Sequence, residues 1–291
     1  MVEFNLRDDK ESKKATMTDF TIGTVYLNVR NLDKMLAYYE HHIGLQVHEK
    51  NGKTARLGAG EQDLLVLTET QDMNFNRSAT GLYHFAILVP SAVYLANVLK
   101  HFAEAQTPLG GMSDHLVSEA LYLSDPEGNG IEVYYDRSRE LWYKDGEFQL
   151  GTLPLNVQRL MQNLTPENAA WEGLPSGTIM GHIHLHVSDV LKNEAFYRDI
   201  LGMDVMVNMG SATFMSYDGY HHHLGANVWG GRIPRTGDEY GLEKYDLYIH
   251  EANQLQNILA TVDAQGIAIA EVDGAYILHD PSNNQIVLRQ G

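Results

Sequence analysis

The feature that most constrains how this chain can fold is that it is built four times over. The run TVYLNVRNLDKMLAYYEHHIGLQV from Thr24 aligns without a gap with HIHLHVSDVLKNEAFYRDILGMDV from His182. Val29 falls on Val187, Tyr39 on Tyr197, Gly44 on Gly202 and Val47 on Val205. A second pair repeats in the same order: GLYHFAILV from Gly81 with GLEKYDLYI from Gly241, then LSDPEGNGIEV from Leu123 with LHDPSNNQIVL from Leu278. Strand-onset residues Val29, Val89, Val187 and Ile249 are spaced 60, 98 and 62 residues apart. A period that long means one supersecondary unit copied along the chain. Each copy reads as a strand, a helix and a short run of strands, which predicts an α+β fold of four βαβββ modules. One such small sheet cannot bury both faces by itself, so modules must pair, wrapping into two half-barrels with a concave face.

The module boundaries follow. Residues 1–19 are polar and unperiodic (RDDKESKK) and read as a mobile N-terminal arm. Modules one and two occupy residues 20–137 as an N-terminal half, and modules three and four occupy 178–291 as a C-terminal half. The long middle step contains residues 138–177, a connector with a short helical pattern from Leu155 to Leu164. Its Leu141-Trp142-Tyr143 and Trp171, like Val228-Trp229 further on, read first as packing anchors and second as walls of a pocket.

Composition narrows the chemistry. The chain has no cysteine, which excludes disulfides, thiolate ligands and a cysteine nucleophile, so any metal must be held by nitrogen and oxygen. A formal charge of −17, from 38 acidic against 21 basic residues, repels phosphate backbones and anionic membranes and argues against nucleic acid as a partner. No apolar run approaches the roughly 18 residues of a membrane span and no signal-peptide core is visible, so the default compartment is the cytoplasm. Fourteen histidines are many for 291 residues, and they cluster.

The segment Ala120–Tyr135 contains two apolar runs joined by Asp125-Pro126-Glu127-Gly128-Asn129-Gly130, residues that favour turn dihedrals, and is predicted to be a hairpin. Alternation on its second strand puts Glu132 and Tyr134 on one face. Five residues before each strand-onset position stand Thr24, His84, His182 and Lys244, while the place of Glu132 is taken by Val287 in the fourth module. Singly, a strand histidine is more often a satisfied polar residue, and Glu132 an exposed strand acid. Two histidines at one repeat position plus a carboxylate are different: two nitrogens and one oxygen form the facial set that leaves open positions on a divalent ion. His184 and His186 share a strand face with His182, as competitors or as supporting neighbours. In Tyr220-His221-His222-His223-Leu224, a strand would point His222 opposite to His221 and His223, so at most one of those two sets faces the cup, and a surface strand edge is the other reading.

GLYHFAILVP, SEALYLSDPEGNGIEVYYDR, GHIHLHVSD and GYHHHLGANVW resemble the vicinal oxygen chelate superfamily, which includes glyoxalase I, bleomycin and fosfomycin resistance proteins and extradiol ring-cleaving dioxygenases. Within it the pattern is similar to the short two-domain bacterial catechol 2,3-dioxygenases, from Thr21 to the C-terminus. The resemblance implies a ring-cleaving oxidoreductase of aromatic catabolism, with a small aromatic diol and O2 as its partners. Its metal would be Fe(II), or Mn(II) or another divalent ion, on His84, His182 and Glu132. It further implies a substrate-binding tyrosine ten residues before the ligand glutamate, which is Tyr122. A catalytic histidine just before the last strand of its module would be His222, and a histidine upstream of the tyrosine would be His115. The best-known two-domain relatives carry all three ligands in the C-terminal half, whereas here they are split between modules two and three. Those two modules are therefore expected to form the metal half-barrel, with modules one and four metal-free; a homo-oligomer is compatible with this arrangement. Two other readings stay open: a glyoxalase-like isomerase or thiol transferase, and a metal-free protein that sequesters a small ligand.

Overall fold

The computed structural model describes residues 20–76 and 78–291; the arm expected over residues 1–19 lies outside the described residues. Module one comprises β1 (Phe20–Val29), α1 (Leu32–Tyr38), β2 (Gln46–Asn51), β3 (Thr54–Ala59) and β4 (Gln62–Glu69). Module two comprises β5 (Gly81–Leu88), α2 (Ala92–Glu104), β6 (Gly111–Asp114), β7 (Ser118–Ser124) and β8 (Gly130–Asp136). Between the halves lie β9 (Tyr143–Lys144), β10 (Glu147–Phe148), β11 (Leu153–Pro154) and α3 (Val157–Met161). Module three runs through β12 (Ile179–His186), α4 (Val190–Ala195), β13 (Asp204–Asn208), β14 (Ala212–Ser216) and β15 (Leu224–Asn227). Module four runs through β16 (Gly241–Ile249), α5 (Ala252–Ala264), β17 (Ala270–Val272), β18 (Ala275–His279) and β19 (Gln285–Gln290).

The sequence repeat has a local physical cause. In modules one and three the first helix starts on equivalent side-chain caps, Asn31 accepting from the Lys34 amide and Asp189 from the Lys192 amide. Both helices run into a π-helical turn, Tyr39–Ile43 and Phe196–Ile200, and the chain then passes through glycines at φ 82° (Gly44) and 80° (Gly202), where a side chain would be strained. The recurring tyrosines reach the recurring Asp-Pro turns of the next module. Tyr39 donates to Asp125 Oδ2 at 2.8 Å and Tyr197 to Asp280 Oδ2 at 3.0 Å. Each aspartate also accepts the backbone amide of its own turn, from Asn129 and Asn284 respectively. Consecutive modules are thus latched by a buried tyrosine and a buried acid.

The sheets join modules in the other sense. One has the order β17-β18-β19-β16-β1-β4-β3-β2, the other β11-β6-β7-β8-β5-β12-β15-β14-β13. The first strands of modules one and four run antiparallel as β1 and β16, and those of modules two and three as β5 and β12. The two sheets share a core: Leu27, Phe85, Ile183, Leu185 and Leu247 belong to one buried cluster. Period-two alternation then sends His84, Ala86, His182 and His184 to the opposite face of the second sheet. The segment between the halves does more than connect. Its β11 pairs with β6 at the sheet edge, where Pro154 is tolerated. Within it the helix occupies only Val157–Met161 of the stretch expected to be helical. Among the described residues no helix is long and apolar enough to cross a membrane.

Candidate metal centre and its cavity

The register of three neighbouring strands builds the site. Parallel pairing of β5 with β8 sets Ala86 beside Glu132, and antiparallel pairing of β5 with β12 sets Ala86 beside His182. His84 stands two residues from Ala86 on the same face of β5. The small Ala86 side chain leaves room above it for the three longer ones to converge. A register shift between Met180 and His182 re-aims β12 at this point. Gly181 sits there because a Cβ would run into the Tyr134 hydroxyl, and Tyr134 packs its ring 4.8 Å from that of His182.

Glu132 Oε2 lies 3.1 Å from His84 Nε2 and 3.1 Å from His182 Nε2, and all three side chains are buried. Among the described residues these three form the group whose donor atoms, all within 4.8 Å of one another, could hold a metal ion. Burial opposes the charge on Glu132, but the imidazoles of His182 and His84 overcome it and hold the carboxyl well below its usual range. Burial in turn pushes His182 down to about 4, against the pull of Glu132. At neutral pH the set is one carboxylate and a neutral imidazole at His182, the protonation states that ligation demands. The fit is geometric as well. Neighbouring ligands of an octahedral ion with bonds of about 2.1 Å stand about 3 Å apart. His84 Nε2, although 3.1 Å from Glu132 Oε2, makes no well-directed hydrogen bond, and His182 Nδ1 is buried without one, a costly arrangement for a purely structural cluster.

His84 and Glu132 of the triad line a cavity of about 1080 Å³ that Tyr122, His115 and His222 also line. Tyr122 lies directly across the β7–β8 ladder from Glu132. His115 Nδ1 lies 2.8 Å from the Gly151 carbonyl, which accepts its proton; Nε2 is then free to accept from the Tyr122 hydroxyl at 2.7 Å. Burial and the Glu132 charge keep the Tyr122 phenol neutral, so it stays a donor. The histidine triplet lies in the loop before β15 rather than on a strand. Its side chains nevertheless diverge: His222 lines the cavity, its ring 4.2 Å from His182, while His223 bonds Ser216 Oγ at 3.1 Å. His221 Nε2 donates to Asp136 Oδ1 at 2.8 Å, and His221 Nδ1 is 2.9 Å from His222 Nδ1. That chain of bonds puts the proton of His222 on Nδ1 and leaves its Nε2 lone pair free. Burial, with His182 and His221 close by, holds His222 well below its usual value and therefore neutral.

The other two histidines of β12 are held elsewhere. Asn227 Nδ2 donates to His184 Nε2 and Asn227 Oδ1 accepts from His186 Nδ1, each at 2.9 Å. Both rings line the cavity without joining the triad. Of the aromatic pieces, Trp142 is buried and Trp171 stacks on His101 at 4.1 Å, so these are packing anchors; Trp229 lines the cavity. Phe148, Leu150, Gly151 and Thr152 of the segment between the halves line it too.

A model described as the Glyoxalase/Bleomycin resistance protein/Dioxygenase superfamily matches residues 21–133. A Bacillus subtilis (strain 168) protein named Catechol-2,3-dioxygenase is 40% identical over 272 residues, 90% of this chain and 94% of its own length. The chain belongs to the glyoxalase/bleomycin resistance protein/dioxygenase superfamily. Solved structures share the superfamily fold. A putative dioxygenase from Bacillus subtilis matches with a TM-score of 0.61 at 10% identity, covering 93% of this chain and 84% of its own. Glyoxalase I from Zea mays matches at 0.57 and 15%, covering 93% and 92%. The other half-barrel carries ion pairs where this one carries the triad. Its own cavity, about 510 Å³, is lined by the ion pairs Arg56–Asp63 (2.8 Å) and Arg289–Asp246 (2.9 Å). Thr24, Lys244 and Val287 stand there at the repeat positions of the triad, and neither threonine nor valine replaces imidazole or carboxylate as a ligand.

Proposed function

We propose that the protein is an extradiol ring-cleaving dioxygenase acting on a catechol with O2. The observation that carries the reading is the convergence, on one cavity, of a two-histidine, one-carboxylate triad with a free imidazole nitrogen and a tyrosine–histidine donor pair. The 40% identical relative named Catechol-2,3-dioxygenase supports it. His84, His182 and Glu132 would hold the ion, Fe(II) by the choice of ligands and Mn(II) or another divalent ion as the alternative. Such an ion supplies a Lewis acid that eases deprotonation of the diol and a redox centre that brings diol and O2 together.

The remaining work falls to the chain itself. His222 Nε2 takes the diol proton, its lone pair made available by the His221–Asp136 chain behind it, and returns the proton later in the cycle. Tyr122 donates to a substrate oxygen when it leaves His115, and His115, fixed by the Gly151 carbonyl, holds the tyrosine in place until then. Phe214, whose ring is 5.1 Å from that of His222, keeps water from the base. The ring opens beside the diol and both atoms of O2 enter the product, a muconic semialdehyde. The test is anaerobic loading with Fe(II) followed by oxygen uptake with a panel of catechols. Stoichiometric O2 consumption with a yellow product supports the proposal, and metal-loaded protein that consumes no O2 with any diol refutes it.

A further inference from the structure

We infer that the substrate is a catechol bearing an uncharged, apolar substituent about the size of a second ring, held against Phe214, Trp229, Tyr83 and Met209. This rests on the ring-cleavage reading for the diol end and on the cavity walls for the rest. The first observation is size. A cavity of about 1080 Å³ slightly exceeds the range of those that enclose drug-sized ligands, about 300–1,000 Å³, and a single-ring diol on the triad leaves most of it empty.

The second observation is the character of the empty part. From His222 a continuous series of rings leads outward. Phe214 lies 5.1 Å from His222 and 5.4 Å from His184, Trp229 lies 5.6 Å from His184, and Tyr83 lies 5.7 Å from Trp229. At the open end Tyr83, Trp229 and Met209 are 39%, 52% and 63% exposed. Large apolar side chains gathered at the mouth of a cavity mark a surface that a ligand covers. The wall is also held in place: the Trp229 amide donates to Asn227 Oδ1 at 3.0 Å and its Nε1 to Ser211 Oγ at 3.1 Å. A fixed aromatic wall loses little freedom on binding.

The third observation is charge. No lysine or arginine is among the described residues that line the cavity, and its acidic member is Glu132. The lining imidazoles of His184 and His186 are already bonded to the Asn227 amide. The chain as a whole carries −17. A carboxylated catechol would bring its charge into this arm without a counter-ion, at the cost of an unpaired buried charge. An uncharged aryl or alkyl group meets only rings and thioether.

The test titrates the anaerobic, metal-loaded protein calorimetrically with catechol, 3-phenylcatechol and 3,4-dihydroxyphenylacetate, then compares kcat/KM for the same three under air. The expected order is 3-phenylcatechol tighter than catechol by about tenfold or more, with the carboxylate weakest. Trp229→Ala and Met209→Ala should each shrink the phenyl-over-catechol ratio several-fold, with the change in KM rather than kcat. A carboxylate that binds as well as the phenyl compound, or a ratio unmoved in both variants, overturns the inference. If the diols bind in the expected order and none is cleaved, ring cleavage fails and the ligand class stands. If they are cleaved without preference, the reverse holds; if none binds, both fall.

Discussion

Replacing Asn227 by alanine should cost this protein more stability than its distance from the triad suggests. Asn227 is fully buried and uses both ends of its amide. Nδ2 donates to His184 Nε2, and Oδ1 accepts from His186 Nδ1 and from the Trp229 amide, at 2.9, 2.9 and 3.0 Å. An ordinary hydrogen bond contributes about 0.5–1.5 kcal/mol net, and a buried group left without a partner costs about 1–3 kcal/mol. His184 is buried, whereas His186 and Trp229 can recover part of their loss from water. The sum is about 2–4 kcal/mol, or a fall in melting temperature of roughly 3–7 °C for a chain of this size. Urea unfolding of the metal-free protein, followed by circular dichroism, reads it directly. A loss below about 0.5 kcal/mol would show that the two histidines are not held by this side chain, and the reason for excluding them from the triad would go with it.

Three further outcomes follow from the same geometry. His222→Gln should lower kcat for diol cleavage by about 10²–10⁴ while the bound ion is retained, checked by oxygen uptake and metal analysis on the same sample. Asp136→Ala removes the acceptor of both His221 and Tyr220, so it should destabilise the fold by about 2–5 kcal/mol in urea and lower kcat without releasing the ion. Burial depresses His223 to about 3. Between that value and about 6.5 the unfolded chain binds a proton that the folded chain refuses, so stability is present above 6.5 and falls as pH drops. His223→Gln should flatten the fall in metal-free stability between pH 7 and 5 by up to about 1.4 kcal/mol per pH unit, and an unchanged slope would contradict the assignment.

The four-module fold was legible because the residues that latch one module to the next recur in sequence. Tyr39 and Tyr197 align, as do Asp125 and Asp280, and each tyrosine bonds its aspartate. The hairpin of β7 and β8 was legible for a similar reason, its turn being written in residues with few other uses. Relations between distant parts of the chain were not. Asp136 and His221 are 85 residues apart, and nothing local in either announces the other. The His221–His223 run resembles a strand in its alternation but is a loop whose side chains diverge through separate hydrogen bonds, to Asp136 and to Ser216. Asn227 lies on a strand of neutral appearance, so its hold on two histidines of β12 is visible only in the parallel pairing of β12 with β15. The segment between the halves reads only as a connector because its contribution to the cavity comes from a few residues, such as Gly151, whose carbonyl rather than side chain meets His115.

The account stands on three side chains from β5, β8 and β12 sharing one ion. The most direct measurement is anaerobic titration of chelator-stripped protein with Fe(II), with bound metal counted by elemental analysis, for the native chain beside His182→Ala and Glu132→Ala. The account predicts about one ion per chain, and a loss of affinity of about a hundredfold or more in each variant, beyond what removal of an outlying supporting residue costs. No bound ion in the native protein, or equal binding in all three, would contradict it.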